Sequence, residues 1–134
     1  MADTPTVAIV NSTPDAVEML RHALTGAGFM VVSTFTHDIR DGRVDFEAFM
    51  RQHRPRVIVY DVAPPYGRNF QLYEHVRGMP GCEHAHFVLT SMNPIHVQAL
   101  VGRDERVYEV VDREDDLMRL VSAVKEAARA RPTR

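Results

Sequence analysis

Residues 7–28 read Val-Ala-Ile-Val-Asn-Ser-Thr-Pro-Asp-Ala-Val-Glu-Met-Leu-Arg-His-Ala-Leu-Thr-Gly-Ala-Gly, and they decide the fold. Val7 to Val10 form a short unbroken apolar run, the pattern of a strand buried on both faces. A turn follows without delay. Thr13 suits a helix N-cap, Pro14 suits the first helical position, and Asp15 and Glu18 suit the positive end of the helix dipole. Ala16, Val17, Leu20, Ala23, Leu24 and Ala27 then recur at the spacing of one helix face, and Gly26 and Gly28 end it. The unit is strand, tight turn, helix.

The same unit recurs outward from there. Met30–Ser33 reads as a second strand, with a loop over His37–Gly42 and a helix marked by Phe46, Phe49 and Met50. Val57–Tyr60 reads as a third strand, and Phe70, Tyr73 and Val76 follow on one helical face beyond a Pro/Gly loop. Phe87–Leu89 is a fourth strand; Asn93 and Pro94 cap and start a helix carrying Ile95, Leu100 and Val101. Val107–Val111 is a fifth strand, and Leu117, Leu120, Val121, Val124 and Ala128 mark the last helix. Strands alternating with helices imply right-handed crossovers, hence an α/β three-layer parallel sheet. The 134 residues suit one domain over 1–134 with a core of about 6–130, and Met1 fits a natural start.

Composition removes several classes. One Cys admits no internal disulfide. No apolar run reaches the ~18 residues of a membrane span, and the N-terminus lacks a signal core; a cytoplasmic location is the expectation. A net charge of -2 disfavours nucleic-acid binding by bulk attraction to phosphates. The dinucleotide glycine fingerprint and the Gly-x-Ser-x-Gly elbow are both missing. Cys82-x-His84-x-His86 could seat two zinc ligands, but it lacks the usual finger spacings.

In such sheets, ligands sit at the carboxyl ends of the strands. The residues there are Asn11 and Ser12 after strand one, Asp61 after strand three, Thr90 and Ser91 after strand four, and Asp112 after strand five. Asp61 is the only central carboxylate. It suits accepting a phosphoryl group or binding a divalent cation; it equally suits opening the Pro64-Pro65-Tyr66-Gly67 turn.

In element order and at these positions the chain resembles the receiver domain of bacterial two-component response regulators, CheY-like, over essentially its full length. Val-Ile-Val-Tyr-Asp puts Asp61 at the family's phosphoacceptor, with Pro65 four residues on. Phe-Val-Leu-Thr puts Thr90 at the switch hydroxyl, and Tyr108 is similar to the aromatic that swings inward when that hydroxyl binds the phosphoryl group. The resemblance implies a flavodoxin-like (βα)5 doubly wound fold with strand order 2-1-3-4-5. It also implies a non-enzymatic signalling role, with a histidine kinase, phosphotransferase or downstream effector as protein partner.

The departures lie at the charged positions. Asn11 and Ser12 replace the acidic pair that holds Mg²⁺, leaving Asp61 as the one carboxylate for the metal. Val111 stands at the position of the strand-five lysine, followed by Asp112 where the family has proline. Lys125, the only lysine, lies in the last helix, and Arg113 is the nearest substitute cation. Asn69 replaces a common glycine, with Gly67 two residues earlier. Such a set is that of an atypical or pseudo-receiver. Mg²⁺ would be held weakly, and transfer to Asp61 slowed by the loss of several electrostatic contributions.

The expected working surface is then the face of helix four, strand five and helix five, flanked by the mixed charges Arg103–Arg106 and Arg113–Asp116. These suit a partner or a two-fold homodimer. The rival reading is a small-molecule or cofactor-binding protein using the strand-end crevice.

Overall fold

A computed structural model describes residues 4–103, 107–112 and 117–130. Five parallel strands, β1 (Thr6–Asn11), β2 (Met30–Phe35), β3 (Val57–Asp61), β4 (His86–Ser91) and β5 (Val107–Asp112), form one sheet in the order β2-β1-β3-β4-β5. The helices are α1 (Pro14–Gly26), α2 (Thr36–Arg40), α3 (Phe46–His53), α4 (Tyr66–Arg77), α5 (Pro94–Val101) and α6 (Leu117–Arg129). The flavodoxin-like doubly wound order expected from the sequence is the order found.

Alternation along the strands builds two cores. Val7, Ile9, Val57, Val59, Val88 and Val111 face α1 and α6, where they meet Val17, Leu20, Leu24, Leu120 and Val124. Ala8, Val10, Ile58, Tyr60, Phe87 and Leu89 face the other way, against Phe46, Met50, Phe70, Tyr73 and Val97. Tyr73 sits at the centre of this second core, with Tyr60, Phe70 and Phe87 around it at ring-centroid distances of 5.2–5.4 Å. These are the separations at which aromatic pairs attract beyond their buried area.

Local chemistry fixes the element starts. Asn93 Oδ1 accepts from His96 N at 3.2 Å, the expected cap of α5, and Asp45 Oδ1 accepts from Ala48 N at 3.1 Å to cap α3. Thr13 holds the N-cap position of α1 but makes no side-chain cap; its own N–H donates to Asn11 Oδ1 at 3.1 Å. Pro14 at the first position has no N–H and so leaves one fewer unsatisfied amide at this helix start.

Two sequence expectations need correction. Residues 37–40 of the expected His37–Gly42 loop belong to α2, which buries Thr36 and Ile39; one turn with two buried residues gives too little periodicity to register. Ile95, read with the apolar residues of its helix, is 83% exposed, and Val97 and Val101 make the packed face of α5.

Candidate functional site

The strand-end positions follow from the same alternation. On β3, Val57 and Val59 face α1 and α6, so Asp61 continues that face; on β4, Val88 does, and so Thr90 follows. Register pairs Asp61 with Thr90 and Thr90 with Val111. Asn11 continues the Val7, Ile9 series on β1. Asn11, Asp61, Thr90 and Val111 thus share one face of the sheet at its carboxyl edge. Asn11 and Asp61 flank the gap between β1 and β3, where the strand order reverses.

Each of these residues ends a strand or lies one residue from its end; for Asn11, Asp61 and Thr90 the sequence alone had put them just past it, and for Val111 at the last strand position. Asp61 is buried, and Thr90 Oγ1 donates to its Oδ1 at 2.7 Å, the short length of a hydroxyl bonded to a carboxylate. Val62 N donates to Thr90 O at 2.9 Å, which locks the two strand ends together. The Asp61 carboxylate has a second effect: after burial, it is the next cause that pushes the Tyr60 hydroxyl well above the usual tyrosine range.

Asn11 is buried as well, with its carbonyl turned to the Thr13 amide. Val111 is buried among Val88, Leu120 and Val124 rather than facing the cleft. Tyr108 points outward and is 38% exposed; its hydroxyl donates to Glu126 Oε2 on α6 at 3.0 Å. That bond is the first cause raising its pKa above the ordinary value. Lys125 is exposed on α6. Arg113 and residues 104–106 and 114–116 lie outside the described residues.

A cleft of about 260 Å³ opens over Asp61, lined also by Ser12, Ala63, Pro64 and Asn69. Asn69 Nδ2 donates to Ala63 O at 2.7 Å and steadies the loop. Three further lining residues, Thr36, His37 and Arg40, come from α2. Sequence reasoning missed them because it left α2 as loop; the four-residue spacing of Thr36 and Arg40 is the one signal that a helix would have put to use. Arg40 is engaged by Asp41 at 3.3 Å and His37 stacks on Phe35 at 5.3 Å.

This donor set does not fit a resident Mg²⁺. Among the described residues the cleft supplies one carboxylate, already accepting from Thr90, and the Asn11 carbonyl is committed to backbone; hard cations of this kind are held chiefly by carboxylate charge. Among the described residues no group of three His, Cys, Asp or Glu side chains could hold a metal ion. Cys82 and His86 are buried, whereas His84 is exposed beside Glu83 at 3.7 Å.

No protein-family model and no curated protein sequence matches the chain. Solved structures do. A CheY-like response regulator receiver domain from Methylobacillus flagellatus aligns with a TM-score of 0.68 at 16% identity, over 93% of this chain and 99% of that one. A response regulator from Thermotoga maritima aligns at 0.64 and 19%, over 96% and 100%. Chemotaxis protein CheY4 of Vibrio cholerae aligns at 0.67 and 19%, over 93% and 99%. The chain therefore has the CheY-like receiver fold. Among the described residues no helix is long and apolar enough to cross a membrane.

Proposed function

We propose that residues 1–134 form a single receiver-type signalling module, an atypical one, that works by binding a protein partner and not by catalysis. Binding does not depend on phosphorylation of Asp61. The observation that carries this reading is the state of the Asp61 carboxylate: it is buried and tied to the Thr90 hydroxyl, and among the described residues lining its cleft there is no second carboxylate. Phosphoryl transfer relies almost wholly on positioned metal and cationic charge. Here the positions that would supply that charge carry Asn11, Ser12 and Val111.

The partner surface in this reading is the face of α5, β5 and α6. Ile95, Leu100, Tyr108 and Met118 are large apolar side chains exposed on those three elements, which suits a contact surface. A histidine kinase, a phosphotransferase or a downstream effector is the partner in a two-component setting, and a second copy of the chain is the other occupant this face suits. The rival reading, a cofactor in the strand-end crevice, gains nothing from the solved structures of like fold, which are named as signalling domains.

Intact-mass spectrometry after incubation with acetyl phosphate and excess Mg²⁺ tests the reading, with Asp61→Ala as control. The expected result is no phosphoryl gain by folded protein. A one-phosphoryl gain that disappears in Asp61→Ala overturns it and makes Asp61 a working acceptor.

A further inference from the structure

A second hollow lies at the other end of the sheet. β3 ends at Asp61 and begins at Val57, so ~13 Å of strand separates that end from the cleft. The hollow has a volume of about 480 Å³ and takes three arginines, Arg51, Arg54 and Arg56, together with His84. Met50, Pro55 and Gly81 supply the apolar part of its wall. Gly81 keeps the wall open: its φ is +96°, and a Cβ there would come within 3.2 Å of Met50 Cβ.

The cations are in different states. Arg56 Nη1 donates to Ala128 O at 3.3 Å, which anchors its guanidinium. Arg51 is 3.6 Å from Glu47 on the same helix, an exposed pair that water screens strongly. Arg54 donates its backbone N–H to Met50 O at 2.8 Å, while its guanidinium makes no hydrogen bond or ion pair among the described residues. It also caps α3 at φ 47°, ψ 52°, a left-handed position that glycine or asparagine ordinarily fills. The left-handed backbone there carries an arginine at the wall of the hollow whose charge no described neighbour uses. Against these cations the nearby acids are Glu47 and Glu83, and Glu83 Oε2 already accepts from Gly81 N at 2.8 Å.

We propose that this hollow binds a nucleoside monophosphate, its phosphate held by Arg54 and Arg56 and its flat base stacked on the Arg51 guanidinium. The volume falls in the range of small-molecule sites. Guanidinium groups serve both halves of such a ligand, pairing phosphate through two donors and stacking on planar rings. The site is independent of the Asp61 reading, and neither result at one decides the other.

Titration of the ¹⁵N-labelled chain with AMP at low ionic strength tests it, with adenosine and inorganic phosphate run in parallel. AMP is expected to give saturable amide shifts at Arg51, Arg54, Gly81 and His84, with tighter binding than either fragment and weakening as salt rises. Arg54→Ala is expected to weaken AMP at least about tenfold with an unchanged urea midpoint; Arg51→Ala serves as the second variant should the first unfold. Shifts that do not saturate overturn the proposal. So does inorganic phosphate binding as tightly as AMP, or undiminished affinity in the folded variants.

Discussion

Thr90 donates to Asp61 across two adjacent strands held in register, its Oγ1 2.7 Å from the carboxylate Oδ1. Both side chains are buried, so the bond is a structural cross-link between β3 and β4 as well as part of the strand-end site. Replacing Thr90 by Val removes a donor from a buried carboxylate and is expected to cost about 1–3 kcal/mol. Thr90→Ser, which keeps the hydroxyl, should recover part of that. Urea denaturation of the three proteins measures it, and a Thr90→Val midpoint equal to the parent would mean that the bond contributes nothing.

Val111 belongs to the core under α6. Val111→Ala removes two buried methyl groups and is expected to cost about 2 kcal/mol. The cleft at Asp61 should be untouched, so amide shifts at Ser12, Ala63 and Asn69 should stay in place. A stable Val111→Ala with shifted cleft amides would put the side chain at the site after all.

Tyr108 and Glu126 form a surface pair whose hydrogen bond holds the phenol in its protonated form. The folded pKa lies above the unfolded value of 10.0, so the pair's contribution is complete below pH 10 and is lost as pH rises through the folded value. Ultraviolet titration of the phenolate should show this late ionisation, and Glu126→Gln should bring it down. Tyr108→Phe should leave the urea midpoint essentially where it is, as exposed substitutions do.

The buried Tyr60 hydroxyl has no hydrogen-bond partner among the described residues. Tyr60→Phe keeps the ring contact with Tyr73 and removes a polar atom that burial penalises. A gain of about 1 kcal/mol is expected, or a few degrees in Tm. A loss of stability on calorimetry would show that the hydroxyl is satisfied in solution.

The fold was legible because its strands are unbroken apolar runs. Val7–Val10 and Val57–Tyr60 could be central strands and little else, and the Asn93-Pro94 pair marked its helix start through a cap that the structure contains. The candidate site was legible one residue at a time, through Asp61 and Thr90 at strand ends. What the sequence could not supply was what enters the site from elsewhere. α2 is a single turn, and its Arg40 and His37 reach the cleft only through the path of the chain after β2. The basic hollow was invisible for a like reason. Its arginines cluster around the α3–β3 turn, but His84 and Gly81 join them from the segment before β4, some thirty residues later.

The row formed by Asn11, Asp61, Thr90 and Val111 has a consequence for how this chain tolerates change in length. Asn11, Asp61 and Thr90 reach that face by counting in twos from the core residues before them, and Val111 joins them through its register with Thr90. Insertion or deletion of one residue inside β1, β3 or β4 would turn that strand's end residue to the opposite side of the sheet and exchange its two core faces as well. Length variation among natural or engineered versions of this chain should therefore fall in the turns. A version with an odd indel inside one of these strands would lose its packing and the Asp61–Thr90 link in the same event.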